Sequence, residues 1–357
     1  MTGLPYLADN IKSLLRWAII VVASLFGIWL LWLTVNFSYH LVFPPPPPGP
    51  DIAFGKITQP FVYNSGFGEN LFVLDTPGQE FPNPGNLLTI YATTASHGQF
   101  TSLDSAKKLA RGAGLDSEPQ TISENERLWT STRNSSKTLK LNIVNGNFLY
   151  HYDWNADPKA LEGVFKTTDA AIISKAKAYL NTFKSLKEDL KTGTARISFY
   201  KLAGNSRSKV SSYSEANAVM VELFRKGISN TLPFVETYPQ LANVNVWISP
   251  AQQSDKQLLE INFTYWDFQK DNKATYPPKS GSQAYSELKS GKAYLSEGAD
   301  SNFQSITIAK VSLAYYNPST QQQTLQPVYV FSGTGIENGV SKNFVAYVPA
   351  ISSQYQR

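Results

Sequence analysis

Cysteine is absent from the 357-residue chain, which removes disulfide staples, thiol nucleophiles and sulfur-ligated metals together. Histidine is scarce: His40, His97 and His151 stand far apart, leaving little raw material for an imidazole metal site or a histidine base. An excess of one charge is also lacking. The 32 basic and 27 acidic residues leave a net charge of +5 and are interspersed, so no basic block marks a nucleic-acid partner. No HExxH, GxSxG or Walker sequence occurs. The expectation is a non-enzymatic chain with no cofactor and no metal.

Two fragments come near to known motifs. Ser174-x-x-Lys177 with Lys191-Thr192-Gly193 has the letters of a penicillin-binding-enzyme site. Both pieces sit on or just beyond one helix, however, whereas that chemistry needs them distant in sequence and facing across a cleft. Asp153, Asn155 and Asp157 open like a calcium loop, yet Pro158 replaces the glycine and Val164 stands where the bidentate glutamate belongs. A strand-ending turn is the expected reading there. The remaining enzymatic alternative is an exported hydrolase using two carboxylates distant in sequence.

What the chain does contain is one long apolar run. WAIIVVASLFGIWLLWLTV, Trp17 to Val35, has no charge, and at 1.5 Å per residue it reaches about 28 Å, close to a bilayer core. Trp17, Trp29 and Trp32 lie near the expected interfaces, Lys12 and Arg16 precede the run, and no Lys or Arg follows until Lys56. The positive-inside rule then makes residues 1–16 a short cytoplasmic tail and residues 17–43 a transmembrane signal anchor in the bilayer. VNFSYHLVF offers no small-x-small cleavage site, so the anchor is expected to stay. Residues 44–50, PPPPPGP, form a polyproline stalk of roughly 20 Å. The expected location is the cell membrane, single-pass, with the C-terminal part extracytoplasmic.

The exported part repeats one plan of a short amphipathic helix, a glycine stop and alternating strands. The first helix is TSLDSAKKLARGAG, with Ser102 as expected cap and Gly112 and Gly114 as stop; strands Leu139 to Val144 and Phe148 to Trp154 follow, joined by a tight turn at Asn145 and Gly146. The second runs from Thr167, with one apolar stripe from Ile172 to Leu190, to a stop at Gly193. The third, SGSQAYSELKSGKAYL, is expected to be capped by Ser282 and stopped by Gly291. ANAVMVELFR, NVNVWIS and LLEINFTYWDF read as strands between the second and third helices. The fold class is α+β, with helices packed on one face of antiparallel sheets in three small modules, residues 51–157, 158–270 and 271–357. The break between the first two is placed at NADPKALEG.

Tyr150, Tyr152 and Trp154 share one strand face. Exposed, they would form a recognition surface that stacks on glycan rings or holds a partner; covered, they would be core beneath an amphipathic helix.

TYPPKSGSQAYSELKSGKAYL, VSLAYYNP, LQPVYVFSG and FVAYVPAI form an ordered set. Together they resemble PepSY-like modules, with Ala284, Leu288 and Gly291 on the helix pattern, and the layout resembles the YycH/YycI type of bacterial membrane-anchored regulatory protein. The likeness covers Thr167 to Ile351. It implies a non-catalytic extracytoplasmic protein that binds another envelope protein, such as a sensor kinase or a peptidase. In the last pair of runs, SGTGIENGVSKN is expected to be an exposed connection.

Overall fold

A computed structural model describes residues 4–42, 49–66, 71–76, 80–94, 103–228 and 232–357. Residues 44–48 of the expected stalk and the expected cap Ser102 lie outside the described residues. The chain divides into two compact units, Met1–Gly49 and Pro50–Arg357.

In the first unit a single helix, α1 (Leu4–Val42), holds an apolar segment, Arg16–Tyr39, of 24 residues with mean hydropathy 2.4, long and apolar enough to cross a membrane. Because α1 begins at Leu4, most of the expected tail is helical and continuous with the apolar run. Trp17, Trp29 and Trp32 are exposed on it. Two of its hydroxyls turn inward: Ser24 donates to the Ile20 carbonyl at 2.7 Å and Thr34 to the Leu31 carbonyl at 2.9 Å. Such return bonds spare these two protons the penalty a hydrocarbon surrounding would impose.

Among the described residues the second unit holds three sheets. The largest has nine strands. Its first part in space is β3 (Gln120–Thr121), β4 (Glu126–Thr130), β5 (Lys137–Asn142) and β6 (Phe148–Tyr152). It continues through β12 (Leu258–Phe263), β11 (Val244–Ile248), β9 (Ala218–Leu223), β7 (Ala195–Ala203) and β8 (Ser206–Val210). Helices α2 (Leu103–Gly112) and α3 (Asp169–Thr182) contribute Ala106, Leu109, Ile172, Ala176 and Leu180 to the core of this sheet.

This sheet corrects the expected module border. β6 pairs with β12 across residues 157/158, with Tyr150 opposite Ile261 and Phe148 opposite Phe263. Strands from 51–157 and 158–270 therefore share one sheet and one core. The reason is edge satisfaction: each meander ends in a strand with one unpaired row of amides and an apolar face, and joining the two rows removes both liabilities.

The second sheet orders β1 (Phe72–Leu74), β15 (Ser305–Asn317), β17 (Pro327–Glu337), β18 (Val340–Pro349) and β14 (Tyr294–Glu297), with β10 (Phe234–Glu236) also on β15. β1 and β10 both pair with β15 in parallel, so the expectation of antiparallel sheets fails at this edge. Both strands reach it after long connections, which parallel pairing requires. A third sheet orders β13 (Phe268–Tyr276), β2 (Leu88–Thr93) and β16 (Thr324–Leu325).

β17 shows the alternation at work. Tyr329 and Phe331 enter the core with Ala284 and Leu288 of α5 (Gly281–Lys289), while Val328 and Val330 face the opposite side with Tyr316 and Tyr347. The connection expected over SGTGIENGVSKN is instead mostly strand. Only Asn338 and Gly339 turn, both at positive φ (51° and 78°), the pairing a two-residue type I′ hairpin requires.

Helix ends depart from expectation in two places. α3 stops at Thr182, not Gly193, and a short α4 (Glu188–Lys191) follows. Lys184 takes the left-handed conformation (φ 50°), its N–H donates to the Asn181 carbonyl and that of Ser185 to the Leu180 carbonyl, each at 2.9 Å. This is a Schellman closure with lysine where glycine is usual, so no glycine announces it. α5 is capped by Ser280, not Ser282, in a reciprocal capping box with Gln283. Replacing Ser280 by alanine is expected to lower stability by about 1 kcal/mol, read as a shift of the urea midpoint at constant slope.

Candidate functional site

The aromatic strand face is not a surface. Tyr150, Tyr152 and Trp154 are buried in the core of the nine-stranded sheet. Tyr150 meets the Phe183 ring edge-on, with centroids 5.6 Å apart. The Tyr152 hydroxyl donates to Asp157 Oδ2 at 2.6 Å and accepts from Asn134 Nδ2 at 3.1 Å, and burial, then that carboxylate, push it up to about 12. Trp154 Nε1 donates to the Gly204 carbonyl at 3.2 Å. All three rings are buried, and the Tyr152 hydroxyl and Trp154 indole bond within the protein, so the recognition surface expected there is corrected to core.

The near-motifs are also structural. Lys177 Nζ donates to the Lys191 carbonyl at 2.8 Å, so the two fragments meet only as a helix-end contact. Asp153 Oδ1 accepts the N–H groups of Asn155 and Ala156, making a turn of the would-be calcium loop, and Asp157 pairs with Lys256 at 2.7 Å. No cluster of three or more metal-ligating side chains occurs among the described residues.

Two features remain as candidates. The first is a polar joint between the nine-stranded and six-stranded sheets, centred on Arg225, whose side chain is 2% exposed. Its Nε donates to Asp189 Oδ2 at 2.6 Å, Nη2 to the Tyr265 hydroxyl at 3.0 Å, and Nη1 to the Trp266 carbonyl at 3.0 Å and Asn317 Oδ1 at 3.3 Å. The rings of Tyr265 and Phe234 lie 4.3 and 4.5 Å from the guanidinium carbon, in cation–π range. Asn317 passes the network on, donating through Nδ2 to both oxygens of Glu236 at 3.1 and 2.9 Å. Burial raises Glu236 to about 7, against the lowering effects of Asn317 and Arg225. Glu222 adds a raising effect, and it is itself buried in a bidentate pair with Arg196, both bonds 2.7 Å. The two acids nearest to an enzyme-like pair are thus sealed from solvent, 0% and 4% exposed.

The second is a groove of about 950 Å³ beside the six-stranded sheet. Three stretches far apart in sequence assemble it: residues 58–63, Thr237 and Tyr238, and the loop 319–324 that follows β15. Phe61 anchors the first wall, with Tyr294 and Tyr316 rings 5.5 and 5.3 Å away. Gln326 Nε2 donates to the Thr58 carbonyl at 2.7 Å and Gln322 Nε2 to the Pro60 carbonyl, tying wall to loop. On the opposite side Ser319 N–H donates to Thr237 Oγ1 at 2.8 Å, and that hydroxyl shares a bond with the Tyr316 hydroxyl at 3.1 Å. The groove's walls are therefore fixed by its own polar side chains.

Sequence reasoning passed over this site. QPFVYN and STQQQT carry no catalytic pattern, and only the unusual run Gln321 to Gln323 sets the second apart. They lie some 260 residues apart, as the 268-residue span of the Gln326–Thr58 bond shows.

No family model matches the chain, and no curated protein matches it. Among solved structures, an uncharacterized protein from Eubacterium rectale is similar over 73% of this chain and 82% of its own, at 12% identity and a TM-score of 0.39. The features left to read are the apolar helix, the joint and the groove.

Proposed function

We propose that the chain is a single-pass, membrane-anchored extracytoplasmic binding protein of the bacterial envelope, non-catalytic, whose Pro50–Arg357 body docks on another envelope protein. A sensor kinase or a peptidase is the partner class that the YycH/YycI resemblance implies, and the PepSY-like reading of the body belongs to the same proposal. The observation that carries it is the joining, in one chain, of an apolar helix long enough to span a bilayer to a body with a groove whose described lining holds no acid or histidine. Glu222 and Glu236 are sealed and could not serve as the open carboxylate pair of the hydrolase alternative. Anchoring suits a binder, because holding both partners on one membrane raises their effective concentration without any new contact.

The absence of cysteine supplies a direct test. Single cysteines at the exposed positions Ile122, Val164 and Val340 are loaded on intact cells with a membrane-impermeant photoactivatable maleimide. The expected result is labelling from outside and one discrete protein adduct. Labelling only after permeabilisation would reverse the topology. Labelled protein without a protein adduct, sedimenting with wall material, would remove the adaptor reading.

A further inference from the structure

We infer that the groove between residues 58–63 and 319–324 is a binding site for a neutral saccharide, a ligand distinct from the protein partner proposed above. The lining carries the inference. Apart from Pro60, Phe61, Val62 and Arg357, every residue that lines the groove bears a neutral hydroxyl or amide. Such groups both donate and accept hydrogen bonds, whereas a carboxylate only accepts and an ammonium only donates. The matching ligand has many uncharged groups that also do both, which is the chemistry of sugar hydroxyls and acetamides.

The rings point the same way. Tyr238 is 53% exposed at the rim, and Tyr63 and Tyr294 line the interior beside Phe61. Tyrosine offers a flat apolar face with a polar tip, suited to the C–H face of a pyranose whose rim is polar. Burial raises the Tyr63, Tyr294 and Tyr316 hydroxyls, which stay protonated and able to donate. The volume of about 950 Å³ lies at the upper end of small-ligand sites, room for several sugar rings.

An extended peptide fits less well. Strand addition needs a free sheet edge, and β14, which gives Tyr294 to the groove, has its edge occupied. Asn64 mimics a peptide unit there, accepting from Leu295 N–H at 2.6 Å through Oδ1 and donating to the Leu295 carbonyl at 3.2 Å through Nδ2. Nor does the site carry the two carboxyl groups with which glycosidases cleave. It holds a glycan intact.

The test is calorimetric titration of the full-length protein in lipid nanodiscs with tetra-N-acetylchitotetraose, cellotetraose, trigalacturonate and a neutral Ser/Ala hexapeptide. At least one neutral tetrasaccharide is expected to bind saturably at one site, with trigalacturonate at least tenfold weaker. Tyr238→Ala and Gln323→Ala, both on exposed side chains, are expected to weaken binding tenfold or more with unchanged melting midpoints. Ile122→Ser, outside the groove, is expected to bind as the parent does. The inference is overturned if neither neutral tetrasaccharide binds, if both groove variants bind as the parent does, if trigalacturonate binds equally well, or if only the peptide binds. The purified protein contains no partner, so this outcome is independent of the crosslinking result.

Discussion

Arg225→Met is expected to destabilise the protein by roughly 3–5 kcal/mol, the range for removing one member of a buried ion pair. Methionine fills the volume among Phe234, Tyr265 and Phe268, so a cavity contributes little. The loss comes from the groups left behind. Asp189 keeps only the Tyr265 hydroxyl, at 3.0 and 3.1 Å, while the Trp266 carbonyl and Asn317 Oδ1 lose their donor. Arg225→Lys recovers part of the loss, because an ammonium cannot direct bonds to four groups set around a planar fork. Urea unfolding followed by tryptophan fluorescence checks this. A stability for Arg225→Met within about 1 kcal/mol of the parent would show that the joint is not a source of cohesion between the sheets.

Glu236 sets the second expectation, a pH dependence of the same joint. Its ordinary value of 4.5 rises to about 7 in the fold, chiefly through burial. Below pH 4.5 it is protonated both folded and unfolded, and its stabilising share is fully present. Between about 4.5 and 7 the unfolded chain releases the proton first, so stability falls as pH rises, and the loss is complete once the folded group has also ionised. At about 1.4 kcal/mol per pH unit, the window amounts to roughly 3 kcal/mol. Glu236→Gln, which still offers Asn317 an acceptor, is expected to remove this component. The difference between variant and parent stability should therefore grow from pH 4.5 to pH 7.5 and then level off, in parallel urea titrations. A difference that stays flat over that window would mean that Glu236 is ionised throughout. Other carboxyls cancel in this comparison, including Glu260, which His151 and Arg207 hold low despite burial.

Much of the fold was legible because its causes are local. The apolar run of α1, the face Ile172, Ala176 and Leu180 on α3, and the strands β9 and β11, rich in β-branched residues and buried on both faces, follow from residue types within a few positions. Gly114 and Gly291 end their helices in the left-handed conformation, as their place after an apolar stripe implies (φ 80° and 78°). The same logic misses Lys184, because a helix end that tolerates a strained lysine leaves no glycine to read. It also overextends α3, since Phe183 and Leu190 remain buried on either side of the break and preserve the apolar stripe.

Tyr150, Tyr152 and Trp154 show where local pattern stops. Alternation places them on one face, and nothing in the strand itself says whether that face meets a layer or water. Phe183, which meets the Tyr150 ring, comes from beyond the expected module border, and the strand that completes the sheet, β12, lies more than a hundred residues on.

The groove is the same case at longer range. Residue types along the chain set the long apolar helix, the amphipathic faces and the lack of any thiol, because each depends on composition or on neighbours a few residues apart. Which edges pair, which rings are covered, and that a glutamine loop closes against Thr58 and Pro60 were decided by long-range packing, where unpaired amides and apolar faces distant in sequence satisfy one another.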